Sequence, residues 1–100
     1  MGRIQRLTLA EDVVQALDLG YPRSGKLLIR NAGTVDVKLG YTATDVTDAT
    51  QNGQFFTLDP GIVYTFDMSQ AVGFLVQNQL LYFNASTGDC ILEIWQAYDN

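Results

Sequence analysis

The sequence has no histidine, one cysteine and two prolines in 100 residues. Lacking histidine, it has no imidazole general base, no imidazole metal ligand and no Ser-His or Cys-His nucleophile pair. A lone cysteine, Cys90, cannot close an internal disulfide. It sits beside Ile91 and Leu92 with acidic Asp89 before it, a setting for a small buried hydrophobe rather than an activated thiol. No apolar run approaches the ~20 residues of a membrane helix. The run at 73–76 is stopped by Gln77-Asn78-Gln79. The N-terminus, Met1-Gly2-Arg3-Ile4-Gln5-Arg6, shows no apolar signal segment, so synthesis in a cytoplasm is expected.

Basic residues are missing from most of the chain. All six fall within the first 38 positions: Arg3, Arg6, Arg23, Lys26, Arg30 and Lys38. The remaining 62 positions carry seven acids and no base, and the net charge is −5. With a pI near 4.2, neither nucleic acid nor an anionic membrane is an expected partner, because phosphate binding needs clustered cations. Three readings of the charge asymmetry stay open: head-to-tail contacts between copies, docking onto a basic surface, or an intermingling of both signs once folded.

What is present is an apolar chain, 47% hydrophobic and 17% charged, of the size of one domain. Short apolar runs alternate with Gly, Pro, Asn and Asp, the rhythm of sandwiches and barrels. Strands are expected over residues 3–9, 26–30, 35–39, 54–58, 62–67, 74–76, 80–84 and 90–97. Asn31-Ala32-Gly33-Thr34 reads as a tight hairpin with Asn and Gly at positive φ. Asp59-Pro60-Gly61 is a turn with Pro at the first corner and Gly at the second. Residues 42–53 read as a polar loop. Residues 10–20 fit either a strand or a capped helix beginning at Thr8, with the β-branched Val13-Val14 favouring strand. Eight or nine short strands with short linkers predict an all-β, antiparallel β-sandwich of jelly-roll or related Greek-key topology. A single domain over 1–100 is expected, with 1–9 as an N-terminal arm.

Candidate chemistry is sparse. Asp59 and Asp67 flank one expected strand and could form a carboxylate pair, but Asp59 opens a turn where Asp commonly bonds its own backbone. Asp45 and Asp48 lie in the polar loop, but their spacing does not match an EF-hand. No catalytic, cofactor-binding or metal-binding residue is assigned, no cofactor is expected, and the chain is expected not to be an enzyme. The eleven aromatic residues are the stronger feature. Adjacent strand residues point to opposite faces, so Phe55-Phe56 and Tyr82-Phe83 each place one ring on either side of a sheet. Both faces are then covered, or one ring meets a partner.

Two stretches, 27–33 followed by 35–40 and later 56–61, run as apolar strand, Asn-x-Gly, strand ending in Gly, then Leu-x-Pro-Gly. In this rhythm, and in the closing segment 81–88, the chain resembles small β-sandwich structural proteins of tailed bacteriophages. The resemblance implies a non-enzymatic virion component. Capsid decoration (cement) comes first, with a head-fibre or tail-associated module second. It implies a homo-oligomer, often a trimer in such proteins, located in the virion and bound to the major capsid protein or other virion proteins. The candidate interface joins the arm residues Arg3, Ile4, Arg6, Leu7 and Leu9 to Phe55, Phe56, Tyr82 and Phe83. The alternative is a carbohydrate-binding module using Tyr41, Tyr64, Tyr82 or Trp95 with Asn52 and Asn84.

Overall fold

The computed structural model describes residues 2–18, 25–47, 53–67 and 80–98. Eight strands and one short helix follow in the order β1 (Gly2–Leu9), β2 (Gln15–Asp18), β3 (Gly25–Asn31), β4 (Val37–Gly40), α1 (Ala43–Thr47), β5 (Phe55–Leu58), β6 (Val63–Asp67), β7 (Leu80–Asn84) and β8 (Cys90–Tyr98). They form two four-stranded sheets, β1-β8-β3-β6 and β2-β7-β4-β5, and every pairing is antiparallel. The all-β antiparallel expectation holds. Of residues 10–20, the described part, 10–18, contributes a strand, β2, and no helix. The expected strand at 74–76 lies outside the described residues.

Alternation along each strand turns one set of side chains into a shared core. Leu9, Leu27, Ile29, Leu92 and Ile94 come from the first sheet. Leu17, Val37, Leu39, Leu58, Leu81 and Phe83 come from the second. Cross-strand register sets Ile94 beside Ile29 and Phe83 beside Leu39, so the apolar rows of neighbouring strands are continuous.

The expected hairpin at 31–34 is absent. β3 pairs with β6 and β8, β4 pairs with β5 and β7, and the segment between them crosses from one sheet to the other. Asn31 organises this crossover. Its fully buried side chain donates through Nδ2 to the carbonyls of Val35 (2.8 Å) and Leu58 (2.9 Å). Its Oδ1 accepts from Gly33 N–H (3.0 Å) and the Cys90 thiol (3.0 Å). Local pattern shows the turn residues but not which strand they lead to.

Gly33 is also explained differently from the sequence expectation. Its φ is not positive; the reason for glycine is crowding. A Cβ there would lie 2.5 Å from Cys90 Sγ and 3.3 Å from Cys90 Cα. Gly33→Ala should therefore cost about 1–3 kcal/mol through overpacking, and Cys90→Ala in the same chain should recover most of it. Chemical denaturation of the two singles and the double checks this. Equal losses with and without the Cys90 change would show that the sulfur is not the obstacle. Cys90 itself is buried, as its neighbours in sequence suggested, and burial raises its thiol pKa above the ordinary value.

The 59–61 turn forms as expected. Gly61 has φ 78°, and Ile62 N–H reaches the Asp59 carbonyl at 3.3 Å. Within the polar segment, by contrast, α1 appears where a loop was expected. Thr42 caps it: Thr42 Oγ1 accepts from Asp45 N–H (3.1 Å) and donates to Asp45 Oδ2 (2.9 Å). Val46 carries its one buried face into the fold.

Candidate functional site

Between the sheets, where β4 runs into Tyr41 and Gln54 leads into β5, lies a cavity of about 350 Å³. Leu27 and Phe66 line it from the first sheet. Leu39, Gly40, Phe55, Phe56 and Leu81 line it from the second, with Tyr41 and Gln54 flanking them. The register explains the grouping. Leu27 is the cross-strand partner of Phe66, and Leu39 is the partner of Phe56. All four belong to inward rows, and among the described residues no further apolar side chain closes this end of the sandwich. Phe56 is thus turned inward yet 48% exposed. Its ring stands edge-on to Tyr64 (5.4 Å, 87°) and Phe66 (5.9 Å, 79°), so one wall of the mouth is an aromatic cluster. Tyr64 is fixed in turn by its hydroxyl, which accepts from Asp59 N–H at 2.9 Å.

The electrostatics of the cavity are simple. Among the described residues that line it there is no acid, base or cysteine, and Tyr41 and Gln54 supply its polar side-chain groups. Lys38 stands outside, its Nζ 4.8 Å from the Phe55 ring centroid. Asp45 is committed to structure, because its Oδ1 accepts from Gln54 N–H (3.2 Å) while Oδ2 meets Thr42. The described residues bring no group of three His, Cys, Asp or Glu together. The Asp45–Asp48 and Asp59–Asp67 pairs each include a group, Asp48 and the Asp67 side chain, that lies outside the described residues.

The expected interface residues do not form one surface. Gly2–Leu9 is an edge strand of the chain's own sheet, paired with β8 along its whole length, and not an arm. Leu9 is fully buried and Leu7 packs on the core, while Arg3, Ile4 and Arg6 are exposed. Arg6 and Arg30 both bind Glu93, at 2.7 and 2.8 Å, and the Arg30 hydrogen bond holds the Glu93 carboxyl below its ordinary pKa. Phe83 is fully buried, and Tyr82 is half-buried on the opposite face of β7. Phe55 is half-buried and Phe56 borders the cavity. Of the nine, Phe55 and Phe56 belong to the cavity; Leu27, Leu39, Phe66 and Leu81 read as ordinary core and gave no separate signal.

No family model matches the chain, and no curated protein matches it by sequence. Solved structures do match in shape. A de novo designed double-stranded β-helix aligns over 95% of this chain and 99% of its own, with TM-score 0.62 and 12% identity. The Cupin_2 domain of an XRE family transcriptional regulator from Enterobacter cloacae aligns over 99% of this chain and 83% of its own, with TM-score 0.60 and 12% identity. FeII HppE in complex with substrate aligns over 96% of this chain but 45% of its own, with TM-score 0.55 and 11% identity. At these identities the likeness shows the fold, which is that of double-stranded β-helix, cupin-type domains.

These neighbours correct the expected identity. They are cupin-domain proteins, not phage virion proteins, so the capsid-decoration role, the tail- or fibre-associated role and the virion location are withdrawn. The strand-and-turn rhythm behind that resemblance belongs to any small antiparallel sandwich with short connections. The rings named for the carbohydrate-binding alternative are spread over the molecule: Tyr41 lies at the cavity, Tyr64 in the aromatic wall, Tyr82 outside one sheet and Trp95 outside the other, while Asn52 lies outside the described residues.

One neighbour holds iron(II), which takes imidazole and carboxylate ligands. This chain has no histidine, and the described lining offers no carboxylate. The residues present do not fit such a centre.

Proposed function

We propose that this chain is a non-catalytic, small-molecule-binding module of jelly-roll topology that takes an apolar ligand between its two sheets. The strand orders β1-β8-β3-β6 and β2-β7-β4-β5 favour the jelly-roll description over other Greek-key sandwiches. The cavity carries the functional reading. An enclosed apolar space of about 150 Å³ admits benzene. This one, at about 350 Å³, has room for a bicyclic ring system or a branched chain of similar bulk. Its aromatic wall of Phe56 and Phe66 suits a flat ring, and Tyr41 and Gln54 suit one neutral polar group at its edge. A charged ligand would lose its hydration there without a partner. A ligand-responsive role of the kind suggested by the regulator's Cupin_2 domain accords with a binding site that lacks catalytic groups.

Calorimetry and thermal unfolding with neutral bicyclic probes such as indole and 2-naphthol test the proposal. At a probe concentration ten times its Kd, about 1.4 kcal/mol of stabilisation is expected, a rise of several degrees in Tm. Leu81→Trp, which projects a large ring into the cavity, should remove the response while leaving a cooperative melt. No heat and no shift with any such probe, or an undiminished response in Leu81→Trp, would defeat the reading.

A further inference from the structure

The two polar side chains of the cavity stand on separate segments. Tyr41 follows the end of β4, and Gln54 precedes the start of β5. Gly40 and Phe55 are the last cross-strand pair of those strands, so the ladder does not hold the segments beyond it. Among the described residues, one side chain bridges them. Asp45 Oδ1 accepts from Gln54 N–H at 3.2 Å, and Asp45 Oδ2 accepts from Thr42 Oγ1 at 2.9 Å, one residue after Tyr41. The bridge stands on a fixed base. A helix as short as α1 does not hold itself in water, and tertiary contacts hold this one. Val46 is fully buried, and its Cγ1 lies 3.0 Å from where a Cβ at Gly40 would stand. The Val46 carbonyl accepts from Asn84 Nδ2 at 3.0 Å, a buried bond to β7. Gly53 lets the returning chain pass against α1, since a Cβ there would overlap the Asp45 carbonyl oxygen.

We infer, resting on the reading that the cavity takes a ligand, that Asp45 is the positioning residue of its polar lip. By holding Tyr41 and Gln54 in one relation, Asp45 sets the preference for a ligand with a neutral hydrogen-bonding group over an apolar ligand of the same shape. Asp45 does not line the cavity; it acts through Gln54 N–H and Thr42. The apolar wall does not depend on it. Leu27 and Phe66 are paired within one sheet, Leu39 and Phe56 within the other, and the Phe56 ring is braced by Tyr64 and Phe66. A plain ring therefore keeps its contacts when the carboxylate is removed. A ligand hydroxyl loses partners that were already in place, and gathering mobile groups around it costs ordering entropy. The role needs an acceptor aimed at Gln54 and a bond to Thr42, and it needs no charge.

Naphthalene and 2-naphthol share a ring system and differ by one hydroxyl, so calorimetry with both on the full chain separates the lip from the wall. Asp45→Ala leaves the N–H at position 45 with its Thr42 Oγ1 acceptor, so the cap of α1 is kept. In this variant the Kd for 2-naphthol should rise about three- to tenfold, the net strength of one ordinary hydrogen bond, while that for naphthalene moves less than about twofold. Asp45→Asn still offers Oδ1 to Gln54 N–H and gives Thr42 Oγ1 a donor, so it should bring 2-naphthol back to within about twofold of the unaltered protein. Solvent exchange of the Gln54 N–H in the unaltered protein gives a reading that stands even if Asp45→Ala does not fold. Coupling is reciprocal, so saturating 2-naphthol should slow this exchange about three- to tenfold and saturating naphthalene should not. Equal or absent losses with the two probes, no rescue by Asp45→Asn, or Gln54 exchange that both probes slow alike overturns the positioning role and leaves the ligand cavity standing. Failure of both probes to bind the unaltered protein overturns the cavity reading and the positioning role together.

Discussion

Replacing Asn31 with alanine is expected to lower folding stability by about 3–5 kcal/mol, a large part of the ~5–15 kcal/mol that holds a domain together. The Asn31 amide satisfies two carbonyls that lie 27 and 4 residues away, Leu58 and Val35, and it accepts from Gly33 N–H and the Cys90 thiol. Alanine leaves all four without that partner. The Leu58 carbonyl bond is buried, and an orphaned buried acceptor costs about 1–3 kcal/mol. The Cys90 thiol bond is buried as well, but a thiol is a weak donor and loses less; the Val35 and Gly33 groups are part-buried and can recruit water at lower cost. Asn31 also holds the 59–61 turn through its backbone, accepting from Gly61 N–H at 2.7 Å; that bond survives the substitution.

Asn31→Asp provides a sharper control. A carboxylate still accepts from Gly33 and Cys90 but cannot donate to the two carbonyls, and burial disfavours its charge. Its folded-state pKa is then raised above the unfolded value, so the variant is least stable at neutral pH and gains stability as pH falls through that raised pKa. Denaturant titrations at several pH values read both effects. A loss below about 1 kcal/mol for Asn31→Ala would mean that water replaces the amide and that the crossover is not held by it.

The second large effect is expected at Phe83. Its side chain is fully buried in the middle of β7, between Gln15 of β2 and Leu39 of β4. Phe83→Ala should cost about 3–5 kcal/mol, the lost transfer of the ring plus the hole it leaves. Collapse around the gap is limited, because Leu39 and Leu81 already border the cavity and have open space on their other side. Phe83→Leu should cost only about 1–2 kcal/mol, since most of the volume is kept. Urea unfolding of the two variants gives the comparison, and similar losses for both would place the energetic centre of the core elsewhere.

The sequence by itself determined the local elements. Alternation in 35–39 and 62–67, β-branched and aromatic runs, and the Asp59-Pro60-Gly61 turn follow from side-chain period and backbone preference, which act over a few residues. The absence of histidine also removed the imidazole half of any metal site before a fold was known. Tertiary structure decided the partners of each strand. Asn31 to Thr34 looks the same locally whether it closes a hairpin or crosses between sheets, and the choice rests on a side chain reaching Leu58. It also decided that Gly33 answers to the Cys90 sulfur and that residues 2–9 form an edge strand. The cavity belongs to the same category. Leu27, Leu39, Phe66 and Leu81 are ordinary core residues in sequence, and they line one space because β3 and β6 of one sheet face β4, β5 and β7 of the other. That meeting of strands is set by contacts between residues far apart in the chain, which no local period records.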